Sequence, residues 1–281
     1  MLFAATLRDV TYVVHRPAPP LSAFVEHLWW LSDRASHSQE RVVASGTQEL
    51  VINLHEDLFD IRCSAVGAPA RRFAGAMVSG AYGNYFLVDS RAHVSLLGVH
   101  FRPGGAWPVL GVPPGELANT HADLSALWGE AARELRERLG NATNLQQRFG
   151  ILEATLVKRL ARPCSRHPIT PLAVSALGGG TASVGRVAAQ LGVSRRRLIE
   201  VFTAEVGMTP KLFGRVQRFQ RAVALARGAT TSWADVASQV GYCDQSHLIR
   251  DCVTFSGFSP TRLLANSGPE LKENHARQPF G

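Results

Sequence analysis

An internal repeat near the C-terminal end constrains this chain more than any other feature. Val187-Ala188-Ala189-Gln190-Leu191-Gly192 matches Val236-Ala237-Ser238-Gln239-Val240-Gly241 at an offset of 49. After one extra residue the match resumes at an offset of 50. Leu198 then pairs with Leu248, Gly207 with Gly257, Thr209 with Ser259 and Pro210 with Pro260. Glycines and prolines held in register over such a stretch mark two copies of one supersecondary unit. The period is too long, and the copies too few, for a solenoid.

Each copy reads as helix, turn, helix. In the first, Val184, Val187, Ala188 and Leu191 form an apolar face, and Gly192 permits a sharp turn. Ser194 then stands where it can cap a second helix whose inward residues are Leu198, Val201 and Phe202. In the second copy, Ser232 and Asp235 form a capping pair, Gly241 makes the turn, and Leu248 and Cys252 face inward. Alanine at 188 and 237 suits a close helix crossing. Between the copies, Lys211–Arg227 is strongly helical; at about 1.5 Å per residue its 17 residues span roughly 25 Å.

Charge is concentrated on the same segment. The whole chain is net +8, with 30 basic against 22 acidic residues. Residues 1–180 hold 17 basic and 15 acidic side chains, whereas residues 181–265 hold 11 and 5. Three quarters of the excess therefore lies in 85 residues, nearly all of it arginine, which suits bidentate contacts with phosphate and guanine. A basic segment carrying two helix-turn-helix units points to a polyanion partner. With turns at either end, the connecting helix can set two recognition helices near one DNA turn apart, about 34 Å.

The second copy holds the most specific stretch, Gly241-Tyr242-Cys243-Asp244-Gln245-Ser246-His247-Leu248, followed by Gly257-Phe258-Ser259-Pro260. It closely resembles the second-motif signature of AraC/XylS-type bacterial transcription regulators, and the resemblance covers residues 181–265. It implies an all-α domain of two helix-turn-helix motifs joined by a long helix, with recognition helices entering the major groove. At the positions that reach base edges in that family stand Arg195, Arg196, Ile199 and Glu200, and fifty residues on Gln245, Ser246, Ile249 and Arg250. The chemistry fits: Arg reads guanine, Gln reads adenine, and Ile meets a thymine methyl. Glu200 either accepts from cytosine or orients Arg196. His247 matches a signature position with a structural or phosphate role. Arg197, Lys211, Arg215, Arg218, Arg221 and Arg262 are assigned to phosphate or solvent. The chain departs from the family at Cys252-Val253, where an aromatic and a basic residue are usual, so the second unit is expected to hold phosphate less well or pack less tightly.

Residues 7–115 read as mostly β, with runs such as Leu50–Leu54, Phe86–Val88 and Val94–Phe101 bounded by turn residues. Phe24, Leu28 and Leu31 recur at helical spacing and predict a short helix over Leu21–Leu31 after Pro19-Pro20. Leu124, Trp128, Ala131, Leu135 and Leu139 then set a helical period, repeated by Leu145, Phe149, Leu152, Leu156 and Leu160 after Gly140-Asn141. This is an antiparallel helical hairpin whose stripes cover the β layer, with one stripe also available to a dimer interface. The predicted organisation is α+β. A β-rich effector-binding or dimerisation domain occupies 1–165 and ends in the hairpin; 166–180 is a Pro/Gly linker with a helical piece at Leu172–Leu177 and a flexible hinge at Gly178-Gly179-Gly180. The double helix-turn-helix domain fills 181–265, and 266–281 is a tail. Pro19-Pro20-Leu21 with Val25-Glu26-His27-Leu28-Trp29, Gly46-Thr47-Gln48-Glu49-Leu50-Val51 and Phe101-Arg102-Pro103-Gly104-Gly105 are similar to sensor-type domains fused to such modules.

Other classes are disfavoured. No apolar run reaches about 18 residues, so no membrane span is expected. The start lacks a basic n-region and a cleavage site, and the chain is expected to be cytoplasmic and nucleoid-associated. No G-x-S-x-G, P-loop or H-E-x-x-H is present, and the chain is expected to be no enzyme, without cofactor or metal. His55 beside Glu56 and Asp57, and His93 with His100, are scattered histidines without an H-x-H pair. Cys63 and Cys164 fall short of the N-terminal zinc-binding cysteine cluster of the repair methyltransferase that shares this type of DNA-binding module. A redox sensor using Cys243 and Cys252 is a rival reading, weakened by the buried position expected for Cys252. Trp29, Trp30, Tyr82, Tyr85, Phe86, Phe101 and Trp107 can line a pocket or fill a core, and Arg102 can meet an anion or stay solvated. The expected partners are double-stranded DNA and an unidentified small-molecule effector, with a second copy of the chain and RNA polymerase as further partners the reading allows.

Overall fold

A strand covered on both faces has no polar side to display, so its apolar residues run without alternation. That situation governs the N-terminal half. The computed structural model describes residues 2–7, 10–33, 40–63, 69–89, 94–160, 166–228, 232–265 and 271–272. Its strands are β1 (Leu2–Leu7), β2 (Val10–His15), β3 (Val25–Asp33), β4 (Glu40–Val42), β5 (Glu49–Asn53), β6 (Phe59–Cys63), β7 (Arg71–Phe73), β8 (Ala76–Ser79), β9 (Phe86–Val88), β10 (Ser95–Phe101), β11 (His121–Asp123) and β12 (Leu271–Lys272). An antiparallel sheet runs in the order β1-β2-β3-β10-β5-β8-β11. A smaller one runs β12-β4-β9-β6-β7, with β12 parallel to β4.

The large sheet is the middle of three layers. Side chains that alternate along each strand divide between two cores. Leu28, Leu50, Ile52, Val78, Leu97 and Val99 face the helices, whereas Trp29, Leu31, Val51, Met77 and Leu96 face the small sheet, where Phe59, Ile61, Phe86 and Val88 meet them. Gly98 lies opposite Trp29, and a Cβ there would sit 2.1 Å from the indole ring. The glycine therefore makes room for the tryptophan.

The helical layer contains α1 (Trp107–Leu110), α2 (Leu124–Trp128), α3 (Glu130–Asn141) and α4 (Leu145–Leu160). Leu124, Trp128, Leu135, Leu139, Phe149, Leu152 and Leu156 are buried against the sheet, as the hairpin reading expects. The first of its two stripes is broken at Gly129, whose φ of 60° ends α2 and starts α3.

The helix expected over Leu21–Leu31 is a correction. Leu21–Ala23 form one 3-10 turn, and Val25–Asp33 are strand β3 in the middle of the sheet. Leu28-Trp29-Trp30-Leu31 is apolar on both faces, so helical and two-sided strand patterns coincide.

The C-terminal part contains α5 (Ile169–Gly178), α6 (Val184–Gln190), α7 (Arg195–Val206), α8 (Pro210–Gly228), α9 (Trp233–Val240), α10 (Gln245–Ser256) and α11 (Pro260–Ala265). Two cores meet along α8. Leu177, Val187, Leu198, Phe202, Val206 and Phe213 fill the first, and Val216, Phe219, Val236, Leu248, Cys252 and Phe255 the second. The segment expected as a linker places Ala173 and Leu177 of α5 in the first of these cores. The triple glycine is held down: Arg218 Nε donates to Gly180 O at 3.0 Å, and Arg221 donates to Gly179 O. Cys164, His93, residues 162–165 and all of the tail but Leu271–Lys272 lie outside the described residues.

Candidate nucleic-acid interface

Both repeat copies fold as helix-turn-helix units, and the sequence explains each boundary. Ser183 Oγ accepts from Arg186 N at 3.2 Å, Ser194 Oγ from Arg197 N at 3.1 Å and Ser232 Oγ from Asp235 N at 3.2 Å. Asp244 Oδ1 accepts from His247 N at 2.7 Å and caps α10. Each cap satisfies an N-terminal amide that would otherwise lack a partner. The turns pass through Gly192 (φ 66°) and Gly241 (φ 83°), in a left-handed conformation that disfavours a side chain. Helices α7 and α10 end alike at Gly207 and Gly257, whose amides return to Thr203 O and Val253 O. Pro210 and Pro260 then open the following helices at the position where a missing amide costs least.

On α7, Leu198, Val201 and Phe202 are buried, whereas Arg195, Arg196, Arg197, Ile199 and Glu200 are exposed. On α10, Leu248 and Cys252 are buried, and Gln245, Ser246, Ile249 and Arg250 are exposed. Ile199 and Ile249, repeat equivalents, are each 37% exposed. Arg196 Nε donates to Glu200 Oε1 at 2.8 Å; that bond, and the carboxylate charge behind it, raise the guanidinium pKa. In the second unit the equivalent positions are Ser246 and Arg250, so an acid-paired arginine in one copy corresponds to a serine and an arginine in the other. His247 is half-buried with its ring edge-on to Tyr242, centroids 5.4 Å apart.

The other basic residues divide. Arg197, Lys211 and Arg262 are exposed, Arg262 lying over the Phe258 ring. Arg215, Arg218 and Arg221 are half-buried and bonded within the chain. Arg215 Nη2 meets Asp251 Oδ1 at 2.6 Å, and Tyr242 Oη donates to Asp251 Oδ2 at 3.1 Å. Asp251 is fully buried, so these two groups replace its lost hydration. Burial and the neighbouring carboxylate raise the Tyr242 pKa. Arg218 also donates to Gly241 O at 3.2 Å and stacks on Tyr242. These arginines tie α8 to the second unit and to the glycine turn. Sequence reasoning did not find that role, because their partners are backbone carbonyls and a residue 36 positions away.

Cys252 is buried, and burial followed by the nearby Asp251 charge pushes its thiol up to about 12; Cys243 is exposed, and neither is bridged. Val253 is 48% exposed. Among the described residues no group of three or more His, Cys, Asp or Glu is placed to hold a metal ion. No described helix is long and apolar enough to cross a membrane. His55 is exposed, and His100 Nδ1 bonds Glu49 Oε1 at 2.7 Å inside the sheet. Trp29, Tyr82, Phe86 and Phe101 are buried in the cores, Trp30, Tyr85 and Trp107 partly so. Arg102 Nε donates to Ser22 O. A cleft of about 370 Å³ opens between α3 and α4, lined by Trp128, Leu135, Arg138, Lys158 and Arg159.

Two capped, exposed helices on paired helix-turn-helix units define the class: a DNA-binding protein. Residues 187–266 match a helix-turn-helix domain family, and residues 13–123 match a domain family of unknown function. Residues 187–266 therefore carry an AraC-type helix-turn-helix DNA-binding domain. Among solved structures the chain is similar to a transcriptional regulator with an AraC-type DNA-binding domain from Chromobacterium violaceum (24% identity, 36% of this chain and 95% of that one, TM-score 0.34). It is also similar to an apo variant of ToxT from Vibrio cholerae (8% identity, 92% and 98% covered, TM-score 0.46). ToxT with a bound unsaturated fatty acid gives 7% identity, 81% and 93% covered, and a TM-score of 0.43. No curated protein matches the chain in sequence.

Proposed function

We propose that the protein reads a two-part operator by inserting α7 and α10 into successive major grooves. The observation that carries this reading is the matched exposure of Ile199 and Ile249, each flanked by polar side chains able to read bases, on helices whose opposite faces are buried. Arg195, Arg196, Ile199 and Glu200 read one box, and Gln245, Ser246, Ile249 and Arg250 the other. His247 supports the second helix from its place against Tyr242. Arg197, Lys211 and Arg262 hold phosphate, and Arg215, Arg218 and Arg221 keep the units in place while adding to the positive field. The protein acts by binding and not as an enzyme.

The N-terminal domain serves a small-molecule effector, dimerisation or both. The cleft between α3 and α4 has the volume of a small-molecule site, and Arg138, Lys158 and Arg159 on its walls outnumber the one carboxylate, Glu134, which suits an anionic effector. A gel shift with DNA from the region upstream of the protein's own gene tests the central reading. A retarded complex that survives excess nonspecific competitor is expected. No binding even at low salt, to any duplex, overturns it.

A further inference from the structure

Residues 41–48, from within β4 to the start of β5, run along the DNA-binding domain in strict reverse order. Arg41 Nη1 donates to Ser256 O at 3.1 Å, and its guanidinium lies between the Tyr85 and Phe258 rings, 4.2 and 4.1 Å from their centroids. Ala44 N donates to Phe255 O at 3.1 Å. Gln220 Nε2 donates to Ala44 O at 2.6 Å, and Gln217 Nε2 to Ser45 O at 3.0 Å. Gly46, at φ 80°, lies against α8 so closely that a Cβ would stand 3.2 Å from Gln217 and 3.3 Å from Phe213. Gln48 is fully buried and donates through Nε2 to Val206 O at 2.7 Å. Val43 and Ala44 also join the core of the second unit.

The two ends of this segment grip equivalent points. Val206 and Ser256 are fifty residues apart, and each immediately precedes the left-handed glycine that ends a recognition helix. The seven steps from Arg41 to Gln48 would cover at most about 23 Å if fully extended, and the bends at Gly46 and Thr47 shorten this against the roughly 28 Å of the 19-residue α8. Each unit packs on α8, which sets their separation first. A second, antiparallel connection bonded to both units opposes the bending and twisting between them that α8 alone would permit.

We propose that residues 41–48 are a strut that fixes the separation and relative rotation of the two recognition helices. Arg41 and Gln48 are then positioning residues that set which operator spacing the protein accepts, without touching DNA. This rests on the reading that both α7 and α10 read bases. One added base pair between the boxes moves the second by about 3.4 Å and turns it by roughly 34°, more than a braced pair of helices can follow.

The test is selection of binding sites from a random duplex pool by the full chain, followed by affinity measurements on sites of altered spacing. Wild type is expected to select two boxes at one spacing, and to lose about tenfold or more in affinity when one base pair is inserted, the scale of one lost base contact. The double variant Arg41→Met/Gln48→Met removes the grip at both ends. Gln217→Ala/Gln220→Ala loosens the same strut from α8, at helical positions where alanine keeps the domain folded. Both variants are expected to select the same two boxes over a broadened range of spacings, with the affinity ratio between native and inserted spacing falling toward 1. Two boxes at an unchanged narrow spacing in both variants overturn the strut alone. A single box or none with wild type overturns the two-helix reading as well.

Discussion

At the scale of single residues, position in the repeat separates exposed arginines from bonded ones. Arg250 is exposed and Arg215 is bonded to a buried carboxylate, although both are arginines on helices of the same basic domain. We expect Arg250→Ala to weaken binding about ten- to a hundredfold on the preferred operator and to relax one base position. Competition binding over all four bases at each position measures this, and an equal loss on every sequence would reassign the arginine to phosphate. Arg196 differs through its bond to Glu200, so Glu200→Gln is expected to change base preference in the first box alone. The two thiols should differ as clearly. Iodoacetamide at neutral pH is expected to label the Cys243 peptide and leave the Cys252 peptide unmodified until the protein is denatured, because burial keeps Cys252 protonated. Mass spectrometry after trypsin reads both.

At the scale of elements, each junction depends on a few buried polar groups. Asp251 joins α10 to α8 through Arg215 and to the preceding turn through Tyr242. Asp251→Ala leaves both groups without their acceptor, and a loss of about 3 kcal/mol in urea unfolding is expected. Tyr242→Phe removes one hydrogen bond and should cost about 1 kcal/mol. In the β-domain, His121 Nδ1 bonds Tyr82 Oη at 2.7 Å, and burial, followed by the charge of Arg71, lowers the imidazole pKa to about 3. Its folded value lies below its unfolded value of about 6.5, so the neutral ring favours the fold above pH 6.5. That contribution is lost as pH falls from 6.5 toward 3, reaching about 2 kcal/mol by pH 5. Thermal melts should therefore show a smaller acid-induced fall in Tm for His121→Gln than for wild type. These elements differed in legibility. The helix-turn-helix units could be read residue by residue, because one of their faces stays wet and the apolar period is clean. Strand β3 could not, because both faces of the large sheet are covered and its apolar run satisfies either period.

At the scale of the whole molecule, the charge counted along the sequence becomes a surface, and part of it is spent internally. Arg215, Arg218 and Arg221 are bonded within the chain, whereas Arg195, Arg196, Arg197, Lys211, Arg250 and Arg262 remain exposed. With Arg197, Lys211 and Arg262 on phosphates, affinity should fall about fortyfold between 50 and 200 mM salt, with a log–log slope near −3. Fluorescence anisotropy across that range measures it, and a slope near 0 would mean that these cations face solvent in the complex. The same scale shows what the boundary at the triple glycine is bonded to: Gly179 and Gly180 accept hydrogen bonds from α8, and α5 before them is built into the first core.

Sequence by itself determined the two units, their turns and the exposed faces of their second helices. Those follow from contacts within about sixty residues, where local propensity and apolar period agree. It also marked Gly46-Thr47-Gln48-Glu49-Leu50-Val51 as a motif of the N-terminal domain without assigning it a task. Only the tertiary structure decided that Gln48 bonds Val206, 158 positions away, and that Arg41 bonds Ser256, 215 positions away. Both acceptors are backbone carbonyls, which every residue type carries, so the sequence holds no complementary pattern from which such contacts can be read.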